Sequence, residues 1–165
     1  MKYYRLVFRA SDRDANTSFN RPSFRCQLPE NLYKDGTNKM IGICLEQFSG
    51  YIKKDATTQD DVVVVRMNLG AVNGSQTDGA GRFAACDTLG IATMTHQHTN
   101  ENFVTCQFSM DKGYLTYPSF MFNQGRIEFN LTHIDDVAIA ASTDTDFQEY
   151  MIVLGVKVLE EGEGY

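Results

Sequence analysis

"VVVVRMNL", Val62 to Leu69, is the stretch on which the fold turns. Branching at Cβ restricts the side-chain rotamers of valine and favours the pleated strand over the helix. A strand with one face in water alternates apolar and polar side chains. This one is apolar on both faces from Val62 to Val65 and continues through Met67 and Leu69. It reads as a strand covered on both sides, at the centre of a sandwich sheet.

Period-two alternation recurs on either side of it. Tyr4, Leu6, Phe8 and Ala10 share one face, with Arg5 and Arg9 on the other. Phe24, Cys26 and Leu28 alternate with Arg25 and Gln27 and stop at Pro29. Ile41, Ile43 and Leu45 form a third strand that reaches toward Phe48. Strand-like stretches follow at Gly90 to Thr95 and Phe103 to Met110. "RIEFNLTHI" alternates at Ile127, Phe129 and Leu131, and the last strand places Ile152, Leu154, Val156 and Val158 together. Between them, "NGSQTDGAG" (Asn73 to Gly81) is a loop of turn-forming residues. No segment holds helical spacing for three turns; one-turn pieces near Leu32 and Phe147 are the only helical candidates. The expectation is an all-β chain of roughly eight or nine strands, folded as a two-sheet antiparallel sandwich, a single jelly roll of about eight strands. With no repeat, proline-rich linker or composition break, residues 1–165 read as one domain with a short acidic tail at 160–165.

The chain has 165 residues and a net charge of −6, which argues against a general nucleic-acid binder. The arginines are unevenly placed, however: Arg5, Arg9, Arg13, Arg21 and Arg25 crowd the first 25 residues. No window approaches the roughly 18 apolar residues of a membrane span. The opening "MKYYRLVFRA" has tyrosines and arginines where a signal peptide needs an apolar core, so secretion by that route is not expected. The four cysteines, Cys26, Cys44, Cys86 and Cys106, form no C-x-x-C pair. Cys26 and Cys44 sit in strand-like runs and read as free, buried small hydrophobes, the alternative for the four being two disulfides in an oxidising compartment. Sequons at Asn16, Asn73 and Asn130 nominally favour that alternative.

Three constellations invite a chemical reading. Asp12, Asp14, Asn16 and Ser18 have the spacing of an EF-hand opening, but Thr17 stands where the loop needs glycine and Ser23 where it needs a bidentate glutamate. His96 and His98 would project from one face of a strand and could chelate a metal, given further ligands. Their setting, "THQHTNEN", reads more simply as a polar loop. Cys86 beside these histidines makes a weak nucleophile pair, and the acidic pairs Asp60–Asp61, Asp135–Asp136 and Asp144–Asp146 lie in turns. No catalytic residue, cofactor or metal is expected. The aromatic stretch "YLTYPSFMF", with Tyr114, Tyr117, Phe120 and Phe122, reads as core packing, the alternatives being apolar surface offered to a partner subunit and a carbohydrate platform, which often uses the tryptophan this chain lacks.

The polar segment "SDRDANTSFNRPSFRCQLPEN", Ser11 to Asn31, carries a resemblance. A strand, an S-D-R triplet (Ser11, Asp12, Arg13), a polar spacer, an N-x-P-S-F segment (Asn20, Pro22, Ser23, Phe24) and a Leu28–Pro29 close are similar to the N-terminal pattern of small single jelly-roll capsid proteins in large eukaryotic DNA viruses and polinton-like viruses. "GRIEFNLTHIDDVAIAASTDTDFQEYMIVLGVKVLE" resembles their closing hairpin. Together these pieces span about half the chain. The segment "GYIKKDATTQDD" matches the pattern only in part. The resemblance implies a penton or minor capsid subunit, located in the virion capsid and made inside the host cell. It would be a homo-oligomer with a pentamer as the expected ring, in contact with the major and other minor capsid proteins. On this reading Asp12 to Asn20 form a loop reaching a neighbour, with Arg13 as its anchor. The expected subunit-contact residues are Asp12, Arg13, Asp14 and Arg21, with Tyr114, Tyr117 and Phe120. The alternatives are a calcium-dependent or lectin-like binding module and, third, a cupin-like metal enzyme built on His96 and His98.

Overall fold

The structure is a computed structural model. It describes residues 3–26, 40–53, 62–68, 88–97, 101–107, 113–118, 125–135, 137–140 and 148–159. Nine strands lie in this set: β1 (Tyr3–Arg9), β2 (Ser23–Arg25), β3 (Met40–Lys53), β4 (Val62–Asn68), β5 (Thr88–Gln97), β6 (Glu101–Gln107), β7 (Leu115–Pro118), β8 (Arg126–Thr132) and β9 (Tyr150–Val158). The one helical element among the described residues is a 3-10 turn at Ala10–Asp12. None of the helices found there is long and apolar enough to cross a membrane.

All pairings are antiparallel, and hydrogen bonds run continuously in the order β1-β9-β3-β6-β5-β4-β8-β2, with β7 also on β3. The path divides into two sets of four, β1-β9-β3-β7 and β2-β8-β4-β5. The chain crosses between the sets at each of its first three connections and again at its last two. That is the strand order of a jelly roll, two Greek keys wound into facing sheets. The extra strand β6 pairs with β3 from Gln47 to Lys53 and with β5 from Thr93 to Gln97, so it stitches the two sheets together along one side. On the other side β1 and β2 are the ends of the path. The all-β sandwich expected from the alternation is the fold observed.

Val62 to Met67 behave as the run of valines predicts. β4 lies between β5 and β8, and Val63, Val64, Val65, Arg66 and Met67 are all buried. The inward set of β9 is Tyr150, Ile152, Leu154 and Val156, each at most 2% exposed. These side chains pack against Ile41, Ile43, Leu45, Phe48 and Ile52 of β3 and Ile127, Phe129 and Leu131 of β8 in one core. The core is sealed beneath the open side by three rings. Phe8 of β1, Phe24 of β2 and Phe129 of β8 have centroids 5.1, 5.3 and 6.0 Å apart, tilted or edge-on as aromatic quadrupoles prefer.

β3 runs to Lys53, well past the alternation at its start. Its pairing with β9 shifts register between Leu45 and Gln47, so Glu46 is a bulge residue. The inward positions change from 41, 43 and 45 to 48, 50 and 52, as an inserted residue requires. The Glu46 carboxylate is turned across the outer face to Arg5 Nε at 2.7 Å. It passes over Gly155, where a methyl would meet the Tyr3 hydroxyl at 2.7 Å and Glu46 Oε1 at 3.0 Å. Burial holds the Glu46 carboxyl above its ordinary pKa.

Candidate assembly surface

The segment between β1 and β2 is tied to its own sandwich at several points. The Asp14 amide donates to the Ser23 carbonyl at 2.8 Å, closing a compact loop, and the Thr17 amide and hydroxyl both donate to the Asp14 carbonyl. Backbone bonds then clip it to β8: Leu131 N–H to the Asn20 carbonyl at 2.9 Å, Phe129 N–H to the Pro22 carbonyl at 3.0 Å, and Cys26 N–H to the Gly125 carbonyl at 2.9 Å. Phe19, an apolar residue in a polar stretch, is buried with its ring edge-on to Tyr150 at 5.0 Å. The Tyr150 hydroxyl donates to the Phe19 carbonyl at 3.0 Å.

Asn20 is the side chain that reaches furthest. Its Nδ2 donates to the carbonyl of Ile139 at 2.9 Å, and its Oδ1 accepts from the Ser18 hydroxyl at 3.0 Å. Ile139 is fully buried, so loss of the donor strands a buried carbonyl. Asn20→Ala is expected to cost about 1–3 kcal/mol. Asn20→Asp should cost as much at neutral pH, since a carboxylate cannot donate; a shift of the urea midpoint for both, with the slope unchanged, checks this.

The expected contact residues divide into two groups. Arg13 is turned inward: its Nη1 donates to the Ala10 carbonyl at 2.7 Å and its Nε to the Thr17 carbonyl at 3.3 Å. It thus braces its own loop. Asp14 has one carboxylate oxygen 3.1 Å from Arg126 Nη2, an ionic contact without hydrogen-bond alignment, and the exposure of Arg126 makes it a weak one. Asp12 and Arg21 are exposed. Tyr117 is buried in the core opposite Ile41. Tyr114 is half-buried: its ring lies over Gly42, where a methyl would come within 2.6 Å of it, and Lys157 Nζ sits 4.3 Å from its centroid. Phe120 lies outside the described residues, as do Cys86, His98, the loop at 73–81, the pairs at 60–61 and 144–146, the one-turn pieces near 32 and 147, and the tail at 160–165.

An open groove of about 450 Å³ runs beside β3, lined by Ile43 to Leu45, by Thr88 to Ile91 of β5 and by Gly113 to Leu115. His96 lies on β5, paired with Phe103. Among the described residues no three His, Cys, Asp or Glu side chains converge as a metal site. Asn130, one of the sequon asparagines, is buried on β8 opposite Arg66.

Cys26, Cys44 and Cys106 are free thiols. Burial pushes the Cys26 thiol up from 9.0 to about 11, and raises Cys44 and Cys106 in the same direction. An unfolded chain ionises its thiols near pH 9 while the folded one holds Cys26 neutral. The stability this represents is present below pH 9 and is lost as pH rises from 9 toward 11. For Cys26 it amounts to roughly 2–3 kcal/mol. Urea midpoints at about pH 8 and about pH 10.5 should show the fall, and Cys26→Ala should reduce it, leaving the part that belongs to Cys44, Cys106 and Tyr150. An unchanged slope in the variant would assign the fall to other groups.

No family model matches the chain, and comparison with curated proteins and with solved structures yields no match.

Proposed function

We propose that the chain is a viral structural protein, a penton or minor capsid subunit that self-associates and contacts the major capsid protein, with assembly and no catalysis as its work. The observation that carries this reading is the joint between β1 and β2 set on a jelly-roll strand order. Four residues of that pattern take part in the joint: Arg13 braces the turn, Asn20 and Pro22 clip it to Ile139 and β8, and Phe24 fills the core beneath. These contacts support the reading by giving those four residues a shared task, carrying the chain from one sheet to the other across the end of the sandwich.

A shell subunit needs a rigid body that presents defined sides to its neighbours. The continuous strand path, stitched by β6 on one side and sealed by the Phe8–Phe24–Phe129 cluster on the other, suits that demand. Quantitative mass spectrometry of purified particles tests the proposal. The chain is expected at a fixed ratio to the major capsid protein, retained through density-gradient purification. Its absence from particles of the virus that encodes it would refute the proposal.

A further inference from the structure

We infer that the outer edge of β1 pairs with the same strand of a second copy of this chain, antiparallel about a two-fold axis at Leu6. This contact is separate from the one that closes a ring and goes beyond the assembly reading above. The first observation is that β1 is the open edge among the described strands. Strand edges invite pairing unless they are short, capped or broken by proline. β2 has three residues, and its outward Ser23 is already bonded, its carbonyl accepting from the Asp14 amide at 2.8 Å and its amide donating to Thr17 Oγ1 at 3.3 Å. β7 has four residues and ends in Pro118, which has no N–H to offer. β1 runs seven residues in unbroken register with β9 at the end of the strand path. The backbone direction of β9 shows which of them bond outward. The Leu159 amide donates to the Met40 carbonyl at 2.9 Å, so the odd residues of β9 bond to β3 and the even ones to β1. Their partners Tyr4, Leu6 and Phe8 bond inward, leaving the backbone groups of Tyr3, Arg5, Val7 and Arg9 on the outer edge. Nothing among the described residues bonds those groups there.

One open edge can meet only its own kind, so the contact is isologous, and an antiparallel pair keeps the core face of both copies on the same side. Side chains then select the register. A centre at Leu6 sets Arg5 opposite Val7 of the second copy and Arg9 over the ring of its Tyr3, a cation–π pairing. Centring on Arg5 would set it against itself, and centring on Val7 would set Arg5 against Arg9, like charges directly opposite. A register between these puts core-facing residues opposite outward ones. The chosen register also covers apolar surface: Tyr3 and Val7 are 42% and 51% exposed. On the core face Tyr4 meets Phe8 and Leu6 meets Leu6, so the half-buried rim of one core continues into the next. Arginines ordinarily guard an edge, but Arg5 is drawn aside to Glu46 at 2.7 Å. Seven residues a side is well short of the roughly 20–30 of a standard interface. The pair is therefore weak in dilute solution, where the closed oligomer stands alone, and holds between neighbours concentrated in a shell.

The test is amide hydrogen exchange at single-residue resolution, read at about 10 μM and about 1 mM chain. On concentration the amides of Arg5, Val7 and Arg9 should slow at least about fivefold, while those of Leu6 and Phe8, already bonded to β9, should stay as they are. Val7→Pro removes an outward N–H and no bond to β9, a change that edge strands tolerate. It should abolish the slowing at Arg5 and Arg9 with melting nearly unchanged. Oxidative cross-linking reads the register. Arg5→Cys and Val7→Cys chains, mixed, should join by a disulfide, their Cα atoms lying about 5.5 Å apart. Arg5→Cys alone should not, since its two copies lie more than about 7 Å apart; the parent chain under the same oxidant gives the background from the native thiols. Wild-type exchange indifferent to concentration, or slowing that persists in Val7→Pro, would overturn the contact while leaving the assembly reading intact. Cross-links between like positions would overturn the register and the charge argument behind it. A chain that pairs through this edge and forms nothing larger would uphold the contact and count against the ring.

Discussion

Tyr150→Ala is expected to lower the stability of this chain by about 3–5 kcal/mol, a large share of the roughly 5–15 kcal/mol of a typical domain. Tyr150 opens β9 with 2% of its surface exposed. Its ring stacks on Phe48 of β3 at 5.9 Å and meets the edge of Phe19 at 5.0 Å, and its hydroxyl donates to the Phe19 carbonyl. One side chain thus holds the β1–β2 joint against two central strands. Burial pushes its hydroxyl well above the ordinary tyrosine range, with Glu149 adding to the shift and Arg13 opposing it, so it remains a donor through the alkaline range. Gly50 makes the fit possible: it pairs with Tyr150, and a methyl there would collide with the Tyr150 Cβ. Tyr150→Phe keeps the ring and strands only the carbonyl, for about 1–3 kcal/mol. Denaturant midpoints for the two variants separate the contributions. Equal losses would mean that the ring contacts carry nothing.

Phe129→Ala is the second large effect, again about 3–5 kcal/mol. Phe129 is 1% exposed and touches the rings of both Phe8 and Phe24, so its loss opens a cavity beneath the open side where the two sheets meet. The walls belong to β1, β2 and β8, which the backbone fixes, so collapse can refill little of the space. Phe129→Leu, which restores most of the volume, should cost less than about 1.5 kcal/mol. The clip between the Phe129 amide and the Pro22 carbonyl should loosen with it, so trypsin should cleave after Arg13 or Arg25 faster in Phe129→Ala than in wild type. Unchanged cleavage alongside a lowered midpoint would place the damage in the core alone.

What the sequence revealed of this molecule follows the reach of its physics. Val62 to Val65 announced a buried central strand because branching and two-sided apolarity are local properties. Ile152 to Val158 and Ile127 to Leu131 alternated cleanly, and both are strands with that face inward. β3 was legible only at its start, since the bulge at Glu46 shifts the phase of the alternation and Gly50 breaks it again. β7 was hidden by Pro118 and by tyrosines that suit core and surface alike; pairing opposite Ile41 put Tyr117 inside. The site was less legible than the fold. Arg13 reads from sequence as an outward anchor, yet its guanidinium finds the carbonyls of Ala10 and Thr17, a geometry that only the turn creates. Phe19 was the available clue that the segment folds back, being the one large apolar side chain between Phe8 and Phe24.

Assembly of this jelly roll as a capsid subunit can be read from the solution mass of the purified chain, measured by sedimentation equilibrium over a wide concentration range. A single closed oligomer at an integral multiple of the chain mass is expected, five being the number, dissociating only on dilution or in salt. A monomer mass at every concentration, unchanged when the major capsid protein is added, would contradict it.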